Sequence, residues 1–428
     1  MLIEFNVSNF LSIREQASLS MVAAKGPELA NENTFLTDIS AVPYLLRSSA
    51  IYGANAAGKS NFIKALQLMR QLVMQSSTKI QVNEELPITP FLLDEESSLK
   101  PTEFEVTFIN QGVRYQYGFS ASAERIIEEW LLAYPSGKAQ RWIERRYDKE
   151  SCSYRWGGMG NLTGKKELWK EATRSNALFL STAIQLNNQQ LKPVFSWFSD
   201  VLHVARFGRW DPGFSIEACE KNNTKARIIS FLRAADINID DIELEKEKFD
   251  LQSLPNDMPE EIKTHLEKQF KDKTIVRVKT AHRLEETQKK ILFDLEDESD
   301  GTQKIFALAG PWLDTLENGY ILVIDELHDN LHPLMVKFLI SLFHNPETNP
   351  KNAQLIFTTH DTSILNQEVF RRDQIWFCEK DTHQATTIYP LTDFSPRKGV
   401  ENLERGYLSG RYGALPYLTS IKAVMENK

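Results

Sequence analysis

Residues 53–60 read Gly-Ala-Asn-Ala-Ala-Gly-Lys-Ser, and no other stretch of the chain narrows its fold as much. The spacing satisfies G-x-x-x-x-G-K-[ST] at every position. Such a loop needs a buried strand before it and a helix after it, and both are legible. Leu45–Tyr52 is an apolar run that predicts the strand. Phe62, Leu66, Met69 and Val73 recur at spacings of four, three and four, which places them on one helix face. The glycines Gly53 and Gly58 let the backbone N–H groups along Gly53, Ala54, Asn55, Ala56, Ala57, Gly58, Lys59 and Ser60 curl around a phosphate, and the helix N-terminus adds its dipole. Lys59 is placed to reach the β- and γ-phosphates and the Ser60 hydroxyl to ligate Mg²⁺.

Three further segments belong to the same chemistry. Ile321–Ile324 is an apolar strand that ends in Asp325 and Glu326. A carboxylate pair there holds a metal through Asp325 and activates a water through Glu326 as general base. Gln354–Thr358 is a second buried strand, followed by Thr359, His360 and Asp361. A histidine at the carboxyl edge of the sheet donates to the γ-phosphate or orients the water. The spacing between the two strands leaves room for one helix near Leu334–Phe343. The fourth segment, Ser299, Asp300, Gly301 and Thr302, precedes a helix predicted to start near Lys304, and is a second phosphate-binding corner. It cannot grip the same γ-phosphate from the opposite side within one subunit.

The rest of the chain sorts by period. Leu2–Val7 and Ala17–Val22 read as strands joined by a turn near Asn9–Arg14, and Glu103 to Tyr147 as an antiparallel meander with turns at Asn110–Gly112 and Pro135–Gly137. Residues 151–290 are polar, with helical patches at Pro193–Leu202, Lys225–Ala235 and Glu260–Lys271. The expected organisation is therefore an α/β chain in three parts: an N-terminal lobe (1–150), a helical insertion (151–290) and a C-terminal lobe (291–428). A length of 428 residues with 25% charged is ordinary for a globular protein of this size, and a net charge of −8 argues against a surface that grips nucleic acid throughout. Cys152, Cys219 and Cys378 are too far apart for a disulfide framework or zinc knuckle, which fits a reducing cytoplasm. The opening MLIEFNVSNF has neither the basic nor the apolar part of a signal peptide, and no apolar run approaches the roughly 20 residues of a membrane span.

In this order, the four segments resemble the ABC-type ATPase head shared by SMC, RecF and OLD proteins. Gly53–Ser60 looks like that group's GxNxxGKS loop, and Ser299–Thr302 like a variant of its LSGGQ signature with Asp300 in place of a glycine. Leu327–Pro333 falls where the group has its D-loop, and His360 matches its switch histidine. The resemblance implies an ABC-ATPase head: a mixed sheet carrying the P-loop, with an antiparallel β subdomain. It also implies ATP and Mg²⁺ as cofactors. One P-loop and one signature per chain imply a homodimer or higher homo-oligomer with ATP at the subunit interface.

Within the group the chain resembles in particular bacterial ATPases of abortive-infection type, usually encoded beside an effector. The residues behind this are MLIEFNVSNF, Ile126–Leu131, Asp373–Lys380 and Leu403–Pro416; Leu11 departs from the arginine that relatives often carry. The function implied is a nucleotide-controlled switch in an antiviral defence system, acting on a separate nuclease or Toprim-like effector. The alternative is a RecF- or SMC-like DNA repair ATPase, for which the basic cluster Lys263–Arg283 would supply DNA contact. An OLD-type nuclease is disfavoured because the stretch after His360 is too short for a Toprim domain. An ABC transporter subunit and a non-hydrolysing scaffold are disfavoured by the insertion and by the intact Glu326. His328 and His332, four apart, read as D-loop residues rather than metal ligands; Trp197, Phe195 and Phe198 read as core or interface, and Tyr407, Arg411 and Tyr412 as packing of the C-terminal tail or, alternatively, a partner surface.

Overall fold

The structure, a computed structural model, describes residues 1–205, 211–248, 262–263, 274–284 and 286–416. The chain forms two compact units. The first comprises Met1–Phe207, Thr315–Asp329 and Val336–Lys428; the second comprises Gly208–Asp314 and Asn330–Met335.

Two sheets build the first unit. The strands, numbered along the chain, are β1 (Leu2–Ser8), β2 (Ala17–Ser20), β3 (Thr34–Leu36), β4 (Tyr44–Leu46), β5 (Ser48–Tyr52), β6 (Thr102–Asn110), β7 (Val113–Ala121), β8 (Ile126–Tyr134), β9 (Gln140–Asp148) and β10 (Ser153–Trp156). They continue with β11 (Leu202–Val204), β12 (Asp241–Lys248), β13 (Thr274–Arg283), β14 (Lys290–Asp294), β15 (Ile321–Ile324), β16 (Gln354–Thr359), β17 (Ile375–Lys380) and β18 (Thr386–Pro390). An antiparallel sheet runs β10-β9-β8-β7-β6-β1-β2. The expected turn at Asn110–Gly112 is a two-residue hairpin loop: Asn110 pairs with Val113, and Gln111 and Gly112 both take positive φ. That conformation matches the twist of the flanking strands.

The second sheet runs β11-β15-β16-β5-β17-β18, parallel throughout except for its last pair. Strands β5, β15 and β16 are buried along their whole length, as expected for a sheet covered on both faces. Helix α1 (Lys59–Gln75) buries Phe62, Ile63, Leu66, Met69, Leu72 and Val73, with Phe62 edge-on to Phe5 of β1 at 5.3 Å. One apolar core runs through α1 and both sheets. Trp197 and Phe198 lie in it, and Trp197 stacks on Phe108 at 4.2 Å.

The predicted single strand Leu45–Tyr52 breaks at Arg47, so that β4 pairs with β3 and β5 joins the parallel sheet. The buried Arg47 guanidinium donates to the Asn349 carbonyl, and the Arg47 carbonyl accepts from Leu355. The segment expected as a helical insertion departs further. Helices Asn222–Ala234 and Gly213–Cys219 are present, but β12, β13 and β14 form a three-stranded antiparallel sheet in the second unit. The unit boundaries also differ from 150 and 290, since 151–205 belongs to the first unit. The helical patch Glu260–Lys271 lies almost wholly outside the described residues. Among the described residues no helix is long and apolar enough to cross a membrane.

A buried polar cluster sits at the start of β5. Ser48 Oγ lies 2.7 Å from His344 Nε2, Gln374 donates to Ser48 Oγ at 2.9 Å, and Asn33 donates to Gln374 at 2.6 Å. Burial, reinforced by the charge of Arg47, lowers the His344 imidazole from 6.5 to about 3. Between those values the unfolded chain binds a proton that the folded chain refuses, so stability falls as pH drops through the window. At about 1.4 kcal/mol per pH unit, acidification from pH 6.5 to 5 removes about 2 kcal/mol. The His344→Gln variant is expected to lose less thermal stability between pH 7.5 and 5 than the wild type. Equal acid-side losses in Tm for the two proteins would remove His344 as the cause.

Candidate active site

The loop Gly53–Ser60 leaves β5 and enters α1 as the sequence requires. Its glycines are dictated by what lies against them. A Cβ on Gly53 would sit 2.2 Å from the Cys378 carbonyl oxygen of β17, and one on Gly58, at φ +110°, 2.0 Å from Thr386 Oγ1 of β18. Ala56 also takes a left-handed conformation, at φ +63°. Alternation of this kind turns successive N–H groups to one side and makes an anion-binding concavity. The Thr386 hydroxyl donates to the Ala57 carbonyl at 2.9 Å, and Ser12 bonds both Thr386 Oγ1 and the Asn61 side chain. The turn Asn9–Arg14 therefore braces the point where the loop becomes a helix. Asn55 and Ala56 are exposed at the loop's tip and Ser60 is half-buried in the first turn of α1.

Lys59 is only 4% exposed. Its ammonium donates to the Gly53 carbonyl at 2.7 Å and the Ala54 carbonyl at 3.0 Å. Burial lowers its pKa, opposed by Cys378, Glu326 and Asp325, so both acids lie within electrostatic reach of Lys59.

The acid pair is held by one hydroxyl. Thr358 on β16 donates to Asp325 Oδ1 at 2.5 Å and accepts the Glu326 N–H at 2.8 Å. Glu326 itself has φ +53° with its side chain exposed at the end of β15. A non-glycine residue in that region stores about 1–3 kcal/mol of strain, tolerated where surrounding bonds fix it. In the sequence Thr358 is only the end of a buried strand, and nothing marks its hydroxyl as the part that joins the two strand ends.

His360 is exposed just past β16 and meets a residue the sequence left in the D-loop. His328 Nε2 lies 3.0 Å from His360 Nε2, and His328 Nδ1 lies 3.0 Å from Thr359 Oγ1. His332 does something different, accepting the Leu334 N–H at Nδ1. P-loop, Asp325, Glu326 and His360 thus all belong to the first unit.

Ser299–Thr302 belongs to the second unit. The helix there, Asp300–Asn318, begins four residues earlier than predicted, because Ser299 Oγ accepts the Thr302 N–H at 3.2 Å and starts the first turn. Asp300, Gly301 and Thr302 are therefore first-turn residues; the Thr302 N–H is taken up by Ser299 Oγ, and the N–H groups of Asp300 and Gly301 lie in the position that favours an anion.

Residues 48–366 match a family described as "AAA domain, putative AbiEii toxin, Type IV TA system". No curated protein matches the sequence. Among solved structures, the SmcHead bound to the C-winged helix domain of ScpA is 13% identical, covering 91% of this chain and 97% of that one at a TM-score of 0.41. The SMC head domain from Thermotoga maritima is 12% identical, with 91% and 98% covered and a TM-score of 0.38. The Smc head domain with an extended coiled coil, bound to the C-terminal domain of ScpA derived from Pyrococcus furiosus, is 11% identical, with 91% and 96% covered and a TM-score of 0.41.

Proposed function

This chain belongs to the AAA-domain family of AbiEii type, and from that premise we propose that it is a Mg²⁺-dependent ATPase that serves as the nucleotide-controlled switch of an antiviral defence module. Its output is control of a separate effector protein, nuclease or Toprim-like. The observation that carries the ATPase reading is the Thr358 hydroxyl, which fixes Asp325 and Glu326 together within electrostatic reach of Lys59.

The residues fit a magnesium nucleotide. Lys59 is a buried cation that joins no ion pair among the described residues and rests on carbonyls alone. A polyanion in the cradle answers that charge. Ser60 and Asp325 are the residues that would hold Mg²⁺, which when bound screens the phosphate oxygens against the attacking water. Lys59 keeps positive charge at the loop for the β- and γ-phosphates. Glu326 takes the proton from the water as its oxygen bonds to the γ-phosphorus and the bond to the ADP oxygen breaks. His360 orients that water or donates to the γ-phosphate. Ser299–Thr302 of a second copy supplies the opposite half of each site, which makes the working unit at least a homodimer.

The test is phosphate release from Mg-ATP by the full chain, with Lys59→Ala expected to fall to background. A wild-type chain that releases no phosphate with Mg²⁺ present would overturn the reading. Double-stranded DNA is expected to leave the rate unchanged. Residues 264–273 of the basic cluster that would serve a DNA-repair ATPase lie outside the described residues; among the described ones, Lys279 is paired with Asp294 at 2.8 Å and Arg283 with Asp240 at 3.0 Å.

A further inference from the structure

The segment Leu403–Pro416, singled out above for its resemblance and for the packing of its tyrosines, reaches the nucleotide loop itself. The Ala54 N–H donates to the Ala414 carbonyl at 3.1 Å. That N–H belongs to the peptide unit whose carbonyl, on Gly53, accepts the Lys59 ammonium at 2.7 Å. A single peptide plane is thus gripped at one end by the loop's own lysine and at the other by the C-terminal segment. Polarisation along such a chain strengthens both bonds, and rotation of the plane disturbs both.

The segment is built to hold that carbonyl in place. Ala414 has φ +56°, and its N–H donates to Glu379 of β17 at 2.7 Å. The Tyr407 hydroxyl donates to the same Ala414 carbonyl at 2.9 Å, and the Tyr389 hydroxyl to the Tyr412 carbonyl at 3.0 Å. The rings of Tyr407 and Tyr412 both stack on Phe377, at 5.3 and 5.5 Å. Gly413, at φ +67°, has no room for a Cβ, which would meet Tyr389 Oη at 2.6 Å and Glu379 Oε2 at 2.7 Å. Phe377 and Glu379 flank Cys378, whose carbonyl presses on Gly53 from the strand side. The first peptide of the loop is therefore clasped between β17 and the tail.

We propose that the Gly413–Ala414 turn is a positioning element of the nucleotide loop, orienting the Gly53–Ala54 peptide and through it Lys59, so that the seating of Leu403–Pro416 sets affinity for ATP. The inference rests on the ATP reading above. It makes the C-terminal segment the handle by which anything that displaces it, a bound partner included, tunes nucleotide occupancy without touching the nucleotide.

The experiment is titration of the full chain with Mg²⁺ and a fluorescent methylanthraniloyl-ATP, together with kcat and KM for ATP. Gly413→Ala is expected to weaken binding and raise KM by about five- to tenfold, the size of one lost oriented hydrogen bond, with kcat within about twofold. Tyr407→Phe keeps the stacked ring and removes one bond to Ala414, and is expected to shift KM in the same direction by less. Should Gly413→Ala fail to fold, Tyr407→Phe alone decides. Unchanged affinity in the folded variants, or a fall in kcat at constant KM, would overturn the inference while leaving the ATPase reading intact. A wild-type chain that binds no analogue removes the ATPase reading, and this inference with it.

Discussion

Replacing Glu326 with glutamine is expected to lower kcat for ATP hydrolysis by about 10²–10⁴-fold, the range for removal of a positioned general base, while ATP is still bound. Glutamine keeps the length and the backbone of Glu326, so the bond from its N–H to Thr358 and the bond from Thr358 to Asp325 both survive. The side chain is exposed at the strand end, so no core packing is lost. What disappears is the ability to take a proton. The expected pattern is therefore a collapse of phosphate release with binding of the fluorescent nucleotide preserved. Hydrolysis at the wild-type rate would move the base elsewhere. Loss of binding together with rate would mean that the substitution disturbs the site rather than the chemistry.

The parts of this site that the sequence made legible are those whose meaning is local. Gly53–Ser60 announces itself because eight consecutive residues meet one geometric demand, and Asp325–Glu326 because an apolar strand ends in two acids. The first failure of sequence reasoning, the break at Arg47, has no local mark: an arginine inside an apolar run reads as a tolerated polar residue until its guanidinium finds the Asn349 carbonyl in the core. The second failure is the sheet within 241–294. The sequence DIELEKEK of β12 alternates charge as an exposed helix does, yet it pairs with β13 so that Glu243 faces Lys279 and Glu245 faces Arg277. Cross-strand pairing of opposite charges stabilises a strand as spacing of three or four stabilises a helix, so composition alone does not separate them.

A third group was unreadable for a different reason. Thr358, His328 and Ala414 act through bonds to residues remote in sequence, and two of those bonds involve backbone atoms, which carry no residue signature. The same holds for Thr386, whose methyl and hydroxyl fill the space that a side chain on Gly58 would need. Motifs thus point to the groups proposed to meet a ligand, whereas the groups that hold them in place are visible only once the chain is folded.

The largest remaining expectation concerns who supplies the second half of the site. If ATP is held by the P-loop of one copy and the Ser299–Thr302 turn of another, two inactive variants with complementary defects must restore activity when mixed. Lys59→Ala removes the loop's cation. Gly301→Glu suits the other half, because a Cβ at Gly301 meets only Asn330 O at 3.4 Å and Ser299 Oγ at 3.9 Å. An added carboxylate in the first turn of a helix is favourable to the helix, so the variant keeps its fold while repelling a phosphate. Each variant alone is expected to be inactive. Co-expressed or mixed with subunit exchange, a heterodimer carries one site with both defects and one with neither. Random pairing at equal amounts makes half the dimers mixed, so about a quarter of wild-type activity returns. Mixing of the variants without recovery, under conditions where labelled subunits are seen to exchange, would place the whole site within one chain. Gly301→Glu that retains full activity by itself would separate Ser299–Thr302 from the nucleotide altogether.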